Sequence, residues 1–443
     1  MLVEESWEGI QWLAKRVGVR FRLPFERQAY EVEPRTDDPS KKRWRCWGGL
    51  YINTMGGGKG LVEDELKACK TAGVDIHWKT KAEELWLDKT AKEVKGLIVT
   101  TAGGQRQKIV ARGGVVLACG GYESSKELRG QLMGPEWASA YVRGTPHNDG
   151  TALRLGAQVT ALRKGQFGDG ACHSTCWDAH APRDRGDVSM TNQFTKSGYP
   201  LGIFVDSSGR RFVDEGEDLR NYTYAKMGQA ILKRPDRLAV QIWDARTSGM
   251  LRDEEYADEF CQHKVRGETL EELAEKLAKV EIGDSRRALR DPQALIDEVR
   301  SYNRAIYAAR AGQKDVAQGF EPSIKDGLIA PAPPLAVPKS NWALPIDKGP
   351  YLAVVVSTGV TFTFGGLHID AQSGQVQRRR EGQEGGTDAT EGIVGLYAAG
   401  EAAGGLFWGN YPGGSGLTAG LVWGRRAGRA AAEAGENANS ATT

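Results

Sequence analysis

Residues 395–428 read GLYAAGEAAGGLFWGNYPGGSGLTAGLVWGRRAG, and 11 of these 34 positions are glycine. Regular structure is expected on either side of the glycines. Leu396-Tyr397-Ala398-Ala399 has the look of a short buried strand that stops at Gly400. From Leu417 onward, Leu417, Leu421, Val422, Arg425 and Ala432 recur at helical spacing. Between strand and helix lies a loop whose side chains are mostly too small to hold a ligand away from the backbone. Glycine allows close approach and positive φ, and the start of a helix presents N–H groups without partners. The stretch therefore suits a large, planar, polar cofactor pressed against main chain. The competing reading is a glycine-rich linker, which the flanking apolar periodicity disfavours.

The remaining composition narrows the class. A chain of 443 residues can bury a large core and is expected to form two domains. Its 59 Lys and Arg nearly balance 57 Asp and Glu, so charge makes no case for nucleic acid or an anionic membrane. Six cysteines (Cys46, Cys69, Cys119, Cys172, Cys176 and Cys261) are too sparse for a disulfide scaffold, and reduced thiols are the default. No stretch reaches the roughly 18 apolar residues of a membrane span, and Met1-Leu2-Val3-Glu4-Glu5 does not read as a signal peptide. The expectation is a cytoplasmic protein.

Along the chain, Trp7, Ile10, Leu13, Ala14 and Val17 predict an amphipathic helix, with Ser6 as cap and Gly18 as stop. Residues 35–45 read as a polar loop. A second glycine cluster, Gly48-Gly49 through Gly56-Gly57-Gly58, precedes the helical LVEDELKACKTAG. Gly57 and Gly58 are thus candidate cofactor or phosphate contacts. Val74–Lys79 reads as a strand, residues 84–100 and 107–110 as paired β segments, and Gly114-VVLACGG-Tyr122 as a short apolar run ending in glycine that suits a buried parallel strand, with Gly120 close to its end. Thr269-Leu-Glu-Glu272 is a capping box and Asp291-Pro292 a helix start. The Pro-rich run Pro331–Pro338 marks a boundary, after which Tyr351–Val356 resumes β character.

Four motifs, VVLACGG (115–121), GRRFVDEGEDLRNYTYA (209–225), TGVTFTFGG (358–366) and GLYAAGEAAGG (395–405), resemble the flavoprotein family of fumarate reductase, succinate dehydrogenase and 3-ketosteroid dehydrogenase, in that family's order. RGTPHNDG (143–150), KSNWALPID (339–347) and NYPGGSGLTAG (410–420) resemble its tricarballylate dehydrogenase branch. The resemblance implies an α/β fold: a discontinuous Rossmann-like FAD-binding domain (1–124 and 346–443) carrying an inserted α+β substrate-capping domain (125–345). It also implies FAD as cofactor and a small carboxylate or ketone as substrate. The redox partner is left unknown. Family members open with a strand, G-x-G-x-x-G and a helix, and no G-x-G-x-x-G occurs in this sequence. The expectation is a chain truncated ahead of its first βαβ unit; loss of ordinary FAD binding is the other reading.

By the same resemblance, Glu401 bonds the ribityl chain of the flavin, with Gly120 and Gly400 close to the cofactor. Main-chain groups of Ser415, Gly416 and Leu417 meet the flavin's pyrimidine edge. Arg220 aligns with the fumarate reductase arginine that exchanges a proton with substrate, at a spacing one residue longer, with Asp214, Glu215, Glu217 and Asp218 expected around it. Phe362 and Tyr411 stand where fumarate reductases place a histidine and an arginine, which argues against fumarate or succinate. Tyr411 in Tyr-Pro-Gly-Gly also resembles the ketosteroid loop, whose tyrosine polarises a ketone. His173 is expected to face the substrate. Cys172, His173, Cys176 and His180 match no standard zinc spacing, so no metal is assigned, and a plain buried thiol pair stays open. Arg143 is a further candidate pocket cation, His147 a pocket or capping residue, and His368 structural. Three functions remain: a dehydrogenase or reductase of small organic acids, a ketone-directed desaturase, and a non-catalytic remnant without FAD.

Overall fold

The computed structural model describes residues 1–24, 29–32, 37–38, 43–46, 52–90, 93–187, 189–190, 193–283, 285–380 and 389–440. The first helix, α1 (Leu2–Trp12), runs on through a wider turn at Leu13–Val17 and stops at Gly18, whose φ is +84°. Ser6 lies inside α1 rather than at its cap, and its hydroxyl donates to the Val3 carbonyl. Gly48 and Gly49 lie outside the described residues. In the loop predicted at 35–45, Arg43–Cys46 instead pairs antiparallel with Ala29–Val32.

Helix α2 (Gly57–Thr71) begins at the second glycine cluster, as predicted. Val74–Lys79 is not a strand. Gly73 turns the chain at φ +72°, and Val74, Ile76 and Trp78 face solvent, so the β-prone side chains have no surface to pack on. Three strands follow as an antiparallel meander: β1 (Lys81–Leu87), β2 (Val94–Thr100) and β3 (Arg106–Val110). Then comes β4 (Val115–Leu117), the short apolar run read from the sequence.

The chain next builds a six-stranded sheet. Its members are β5 (Tyr141–Val142), β6 (Cys172–Asp178), β7 (Ile203–Asp206), β8 (Ala239–Trp243), β9 (Val265–Gly267) and, much later, β10 (Tyr351–Thr363). Strand β10 pairs with β5, β6, β8 and β9. The sheet therefore crosses the boundary drawn at residues 345 and 346, because its central strand comes from beyond the Pro-rich run. Alternation along the strands explains two buried faces. Ile203, Val205, Val240, Ile242, Ala353 and Val355 face one core with helices α4 (Leu270–Leu277) and α5 (Pro292–Ala309). Phe204, Ala239, Trp243, Val354 and Val356 face the other, with Met227 and Ile231 of α3 (Arg220–Leu232). Thr269 caps α4 through the Glu272 N–H and Asp291 caps α5 through the Ala294 N–H, as their sequences predicted.

The last segment returns to the first unit. Strands β11 (Gln375–Arg379) and β12 (Thr390–Ala398) pair antiparallel, and β12 lies parallel to β4. The long α6 (Ser415–Ser440) starts two residues earlier than Leu417 and packs on α1. Gly9 makes that packing possible, since a Cβ there would sit 2.8 Å from Leu421. Glu8 pairs with Arg425 at 2.9 Å, and Glu5 with Arg426. Among the described residues no helix is long and apolar enough to cross a membrane.

Candidate functional site

The site forms where the six-stranded sheet meets the glycine-rich loop. His173 opens β6, opposite Phe362 of β10, and a β-bulge follows immediately. Its ring lies 4.7 Å from Tyr411, 4.9 Å from Tyr224 and 5.7 Å from Phe362, centroid to centroid. Tyr411 in turn meets Phe362 at 4.9 Å and Phe407 at 5.6 Å. The result is an aromatic box fed by β6, α3, β10 and the loop before α6. His173 is fully buried, and neither ring nitrogen has a hydrogen-bond partner among the described residues. Burial, reinforced by the charge of Arg143, holds its pKa well below the usual histidine value, so the ring is neutral. A buried polar group left unpaired costs stability; a ligand that bonds it would recover that cost.

Arg220 begins α3, and one of its terminal nitrogens donates to Ser197 Oγ at 2.8 Å. The carboxylates expected around it are committed elsewhere. Asp214 accepts from Ser340 and Gly216, Glu215 pairs with Arg211, Glu217 with Lys226, and Asp218 lies 3.4 Å from Lys325. Glu255 takes that place: it is fully buried, 3.9 Å from Arg220 and 2.7 Å from Arg252. Burial opposes its charge, but Arg252 and Arg220 outweigh that and keep its pKa below the usual range. Sequence reading missed Glu255, Arg252 and Ser197, since separate segments bring them together. Burial of Glu255 and of Tyr256 beside it is invisible in a run as polar as RDEEYADE.

Glu401 follows Gly400, which has φ +65°. Its carboxylate is turned into the protein: Oε1 accepts from the Thr363 N–H at 2.7 Å and its hydroxyl at 3.0 Å, and Oε2 lies 3.4 Å from Asn148 Nδ2. The same amide donates to Glu123, a buried carboxyl whose second oxygen has no partner among the described residues. Burial first, and for Glu123 the neighbouring Glu401 as well, raise both carboxyl pKa values. Gly120 and Gly121 make room for the pair. A Cβ at Gly120 would meet Asn148 at 2.3 Å, and one at Gly121 would meet Glu401 and Thr363 at 2.2 Å.

Ser415, Gly416 and Leu417 form the first turn of α6, where the opening N–H groups have no carbonyl partner within the helix. The Ser415 N–H turns to Pro412 O. Cβ positions at Gly409, Gly413 and Gly414 look into open space, while Trp408 and Leu417 are 76% and 73% exposed. Gly57 and Gly58 head α2, a separate helix start packed against the 13–17 turn. The remaining histidines stand apart from the box. His180 stacks on His263 beside Asp178, His368 lies 3.2 Å from Lys164, and Asp149 rather than His147 bonds the Thr151 N–H at the next helix start. Burial pushes the Cys172 and Cys176 thiols up.

A family profile described as "FAD binding domain" matches residues 1–417. The 4-oxocyclohex-2-ene-1-carboxylate 5-dehydrogenase of Sinomonas cyclohexanicum is 29% identical over 431 residues, covering 88% of this chain and 63% of that protein. A probable fumarate reductase, Ifc3, of Shewanella frigidimarina is 24% identical over 439 residues, covering 98% of this chain and 60% of its own. The chain thus spans under two thirds of the length of these relatives. The open conformation of a flavocytochrome c3 fumarate reductase superposes with a TM-score of 0.66 at 22% identity, over 98% of this chain and 63% of that one, a likeness of fold.

Proposed function

The chain belongs to the FAD-binding-domain family of flavoproteins, and on that premise we propose that it is an FAD-dependent oxidoreductase acting on CH–CH or C=C bonds beside a carboxylate or carbonyl of a small organic acid, tricarballylate-like in its finer detail. The observation that carries this reading is His173, buried with both ring nitrogens unpartnered among the described residues and enclosed by Tyr224, Phe362 and Tyr411.

The residues present fit the ring end of FAD. The open Cβ positions of the loop glycines and the exposed Trp408 and Leu417 leave backbone and apolar side chain accessible there. The Gly416 and Leu417 N–H groups suit the polar edge of a flavin. We assign Gly400 and Glu401 to the ribityl side, Gly120 to close packing there, and Gly57 and Gly58 to the phosphate side. When bound, FAD takes up or supplies the hydride, so that substrate oxidation balances flavin reduction, with one proton left for the protein to move.

This chain's side chains would handle that proton and the substrate's polar groups. Arg220, held by Ser197 and Glu255, would carry the proton at the substrate carbon that does not exchange the hydride. A guanidinium is a weak acid, so its partner must be a strongly basic, carbanion-like carbon. Neutral His173 would give or accept one hydrogen bond, and the Tyr411 hydroxyl would donate to a substrate oxygen. The aromatic walls exclude water from the reacting carbons. A ketone-directed desaturase is the second reading, favoured by Phe362 and Tyr411 where cationic or donor groups were expected. The test is anaerobic bleaching of the flavin absorbance in the FAD-loaded chain by saturated carboxylates and by cyclic ketones. Bleaching by acids supports the first reading and by plain ketones the second. A flavin that no substrate of either class bleaches, in either direction of the reaction, would sink both.

A further inference from the structure

We propose that Tyr256 is a positioning residue for Arg220: it fixes the main chain that carries Ser197, and Ser197 in turn aims the guanidinium. The inference rests on the proton role given to Arg220 above. Arg220 belongs to the box by its place on α3. Tyr224 follows it one turn later on the same face and meets His173 at 4.9 Å.

Ser197 Oγ is a junction. It accepts from Arg220 Nη1 at 2.8 Å and from Arg252 Nη2, and it donates to Glu255 Oε2 at 2.6 Å. A hydroxyl has one proton and two lone pairs, so all three are committed, and the place of this oxygen decides where the Arg220 nitrogen bonds. The Ser197 N–H donates to the same carboxylate oxygen at 2.8 Å, and the other oxygen of Glu255 accepts from Arg252 at 2.7 Å.

Neighbouring segments decide where Ser197 sits. Residues 196–198 form neither helix nor strand, yet Lys196 and Ser197 are buried. Their main-chain polar groups therefore need partners from elsewhere. Lys196 O accepts from Gln241 Nε2 at 2.7 Å, and Gly198 O accepts from Trp243 Nε1 at 3.0 Å. The Gly198 N–H donates to the Tyr256 hydroxyl at 2.8 Å, and that hydroxyl donates onward to Gln241 Oε1 at 2.8 Å. Adjacent residues of one short turn (Asp253–Tyr256) thus hold consecutive N–H groups: Glu255 that of Ser197, Tyr256 that of Gly198. Glycine lets the turn approach, since a Cβ at Gly198 would lie 2.4 Å from Leu251 and 3.1 Å from the Tyr256 hydroxyl. The Tyr256 ring stands edge-on to Trp243 at 5.2 Å, so turn and β8 grip the chain around Ser197 together. Release of Gly198 would let Ser197 shift and carry an acceptor of Arg220 with it.

The experiment compares Tyr256→Phe, Ser197→Ala and the double variant in the FAD-loaded chain, with tricarballylate as the donor in anaerobic flavin bleaching. Tyr256→Phe keeps the ring and removes the hydroxyl. It should slow the limiting bleaching rate by up to about 100-fold, the loss for a reacting group misplaced by about 1 Å, and leave the half-saturating acid concentration and bound flavin unchanged. The double variant should be no slower than Ser197→Ala, because both changes act through one contact. Ser197→Thr, which keeps the hydroxyl, should recover most of the rate. Losses that multiply, or a parent-like rate for Tyr256→Phe, overturn the assignment while the small-acid reading stands. Urea midpoints of the same variants without FAD need no substrate: the double variant should fall by less than the sum of the single falls. Additive falls overturn the assignment even where no acid bleaches the parent, a result that by itself sinks the small-acid reading. Gln241→Leu, which takes the acceptor from the Tyr256 hydroxyl, replaces Tyr256→Phe in both comparisons if that variant fails to fold.

Discussion

At the position of His173 a single residue links burial, protonation and function. Its imidazole is neutral in the folded chain because burial and Arg143 both oppose the charged form. In the unfolded chain it titrates near the ordinary value of about 6.5. Below that pH the unfolded state binds a proton that the folded state does not, so this residue's contribution to stability falls as pH falls. His173→Phe keeps a ring in the box and removes the titration. Its urea midpoint should therefore drop less than the parent's between about pH 7.5 and about pH 5.5; parallel profiles would mean that His173 is not held neutral. Tyr411 gives a second prediction. If its hydroxyl donates to substrate, Tyr411→Phe should slow turnover by roughly 10²–10³ with bound flavin unchanged. Tyr411→Ala should instead lower flavin retention by leaving a cavity. An active Tyr411→Phe protein would confine Tyr411 to packing. Both residues were named from the sequence only through the resemblance to the family's motifs, and the structure sets their rings 4.7 Å apart. Glu255 was not: its role depends on Ser197 and Arg252 meeting Arg220 across three segments.

Where β4 and β10 end together, the fold leaves no room for side chains. The Gly121 Cβ position lies 2.2 Å from both Glu401 Oε1 and Thr363 Oγ1, and Glu401 is already fixed by two bonds from Thr363. Gly121→Ala should therefore push the Glu401 carboxylate off Thr363 and destabilise the chain by about 1–3 kcal/mol, the usual cost of overpacking. Urea unfolding of parent and variant measures this, and an unchanged midpoint would mean that the carboxyl tips yield freely. The element pattern itself was largely readable. VVLACGG gave a buried strand, Thr269 and Asp291 gave helix caps, and Gly400 gave a strand end. Val74–Lys79 misled because apolar alternation reports a strand only when a partner sheet exists to cover one face. The bulge at Thr361 was illegible for a related reason: one extra residue in a long β run is defined by its neighbour strand, not by its own sequence.

Across the whole molecule, β10 ties the two halves of the site together. Through its pairing with β6 it places Phe362 opposite His173, and at its end Thr363 holds Glu401 of the glycine-rich loop. The loop reaches back, with the Gly409 N–H on Gln166 at 2.6 Å and Asn410 on the Tyr222 carbonyl at 3.2 Å. A boundary at residue 345 hid this, because the Pro-rich run looks like a domain edge while the sheet continues beyond it. A cofactor lying along the loop would be held by both halves at once, so its binding should stabilise the chain as one body. Ligand that binds only the folded state adds RT ln(1 + [L]/Kd), about 2.7 kcal/mol when free FAD is about 100 times its Kd. The features described above gather at the ring end: open backbone at Gly409, Gly413 and Gly414, the first N–H groups of α6, and the aromatic box. Riboflavin, which keeps the ring and lacks the phosphates, should therefore raise the urea midpoint in the same direction as FAD, by a smaller amount. ADP at the same concentration should do less than either. Equal shifts from ADP and FAD with none from riboflavin would move the binding energy from the α6 loop to the Gly57 and Gly58 helix start. No shift with FAD at any concentration, while the chain remains folded, would remove the cofactor from this chain.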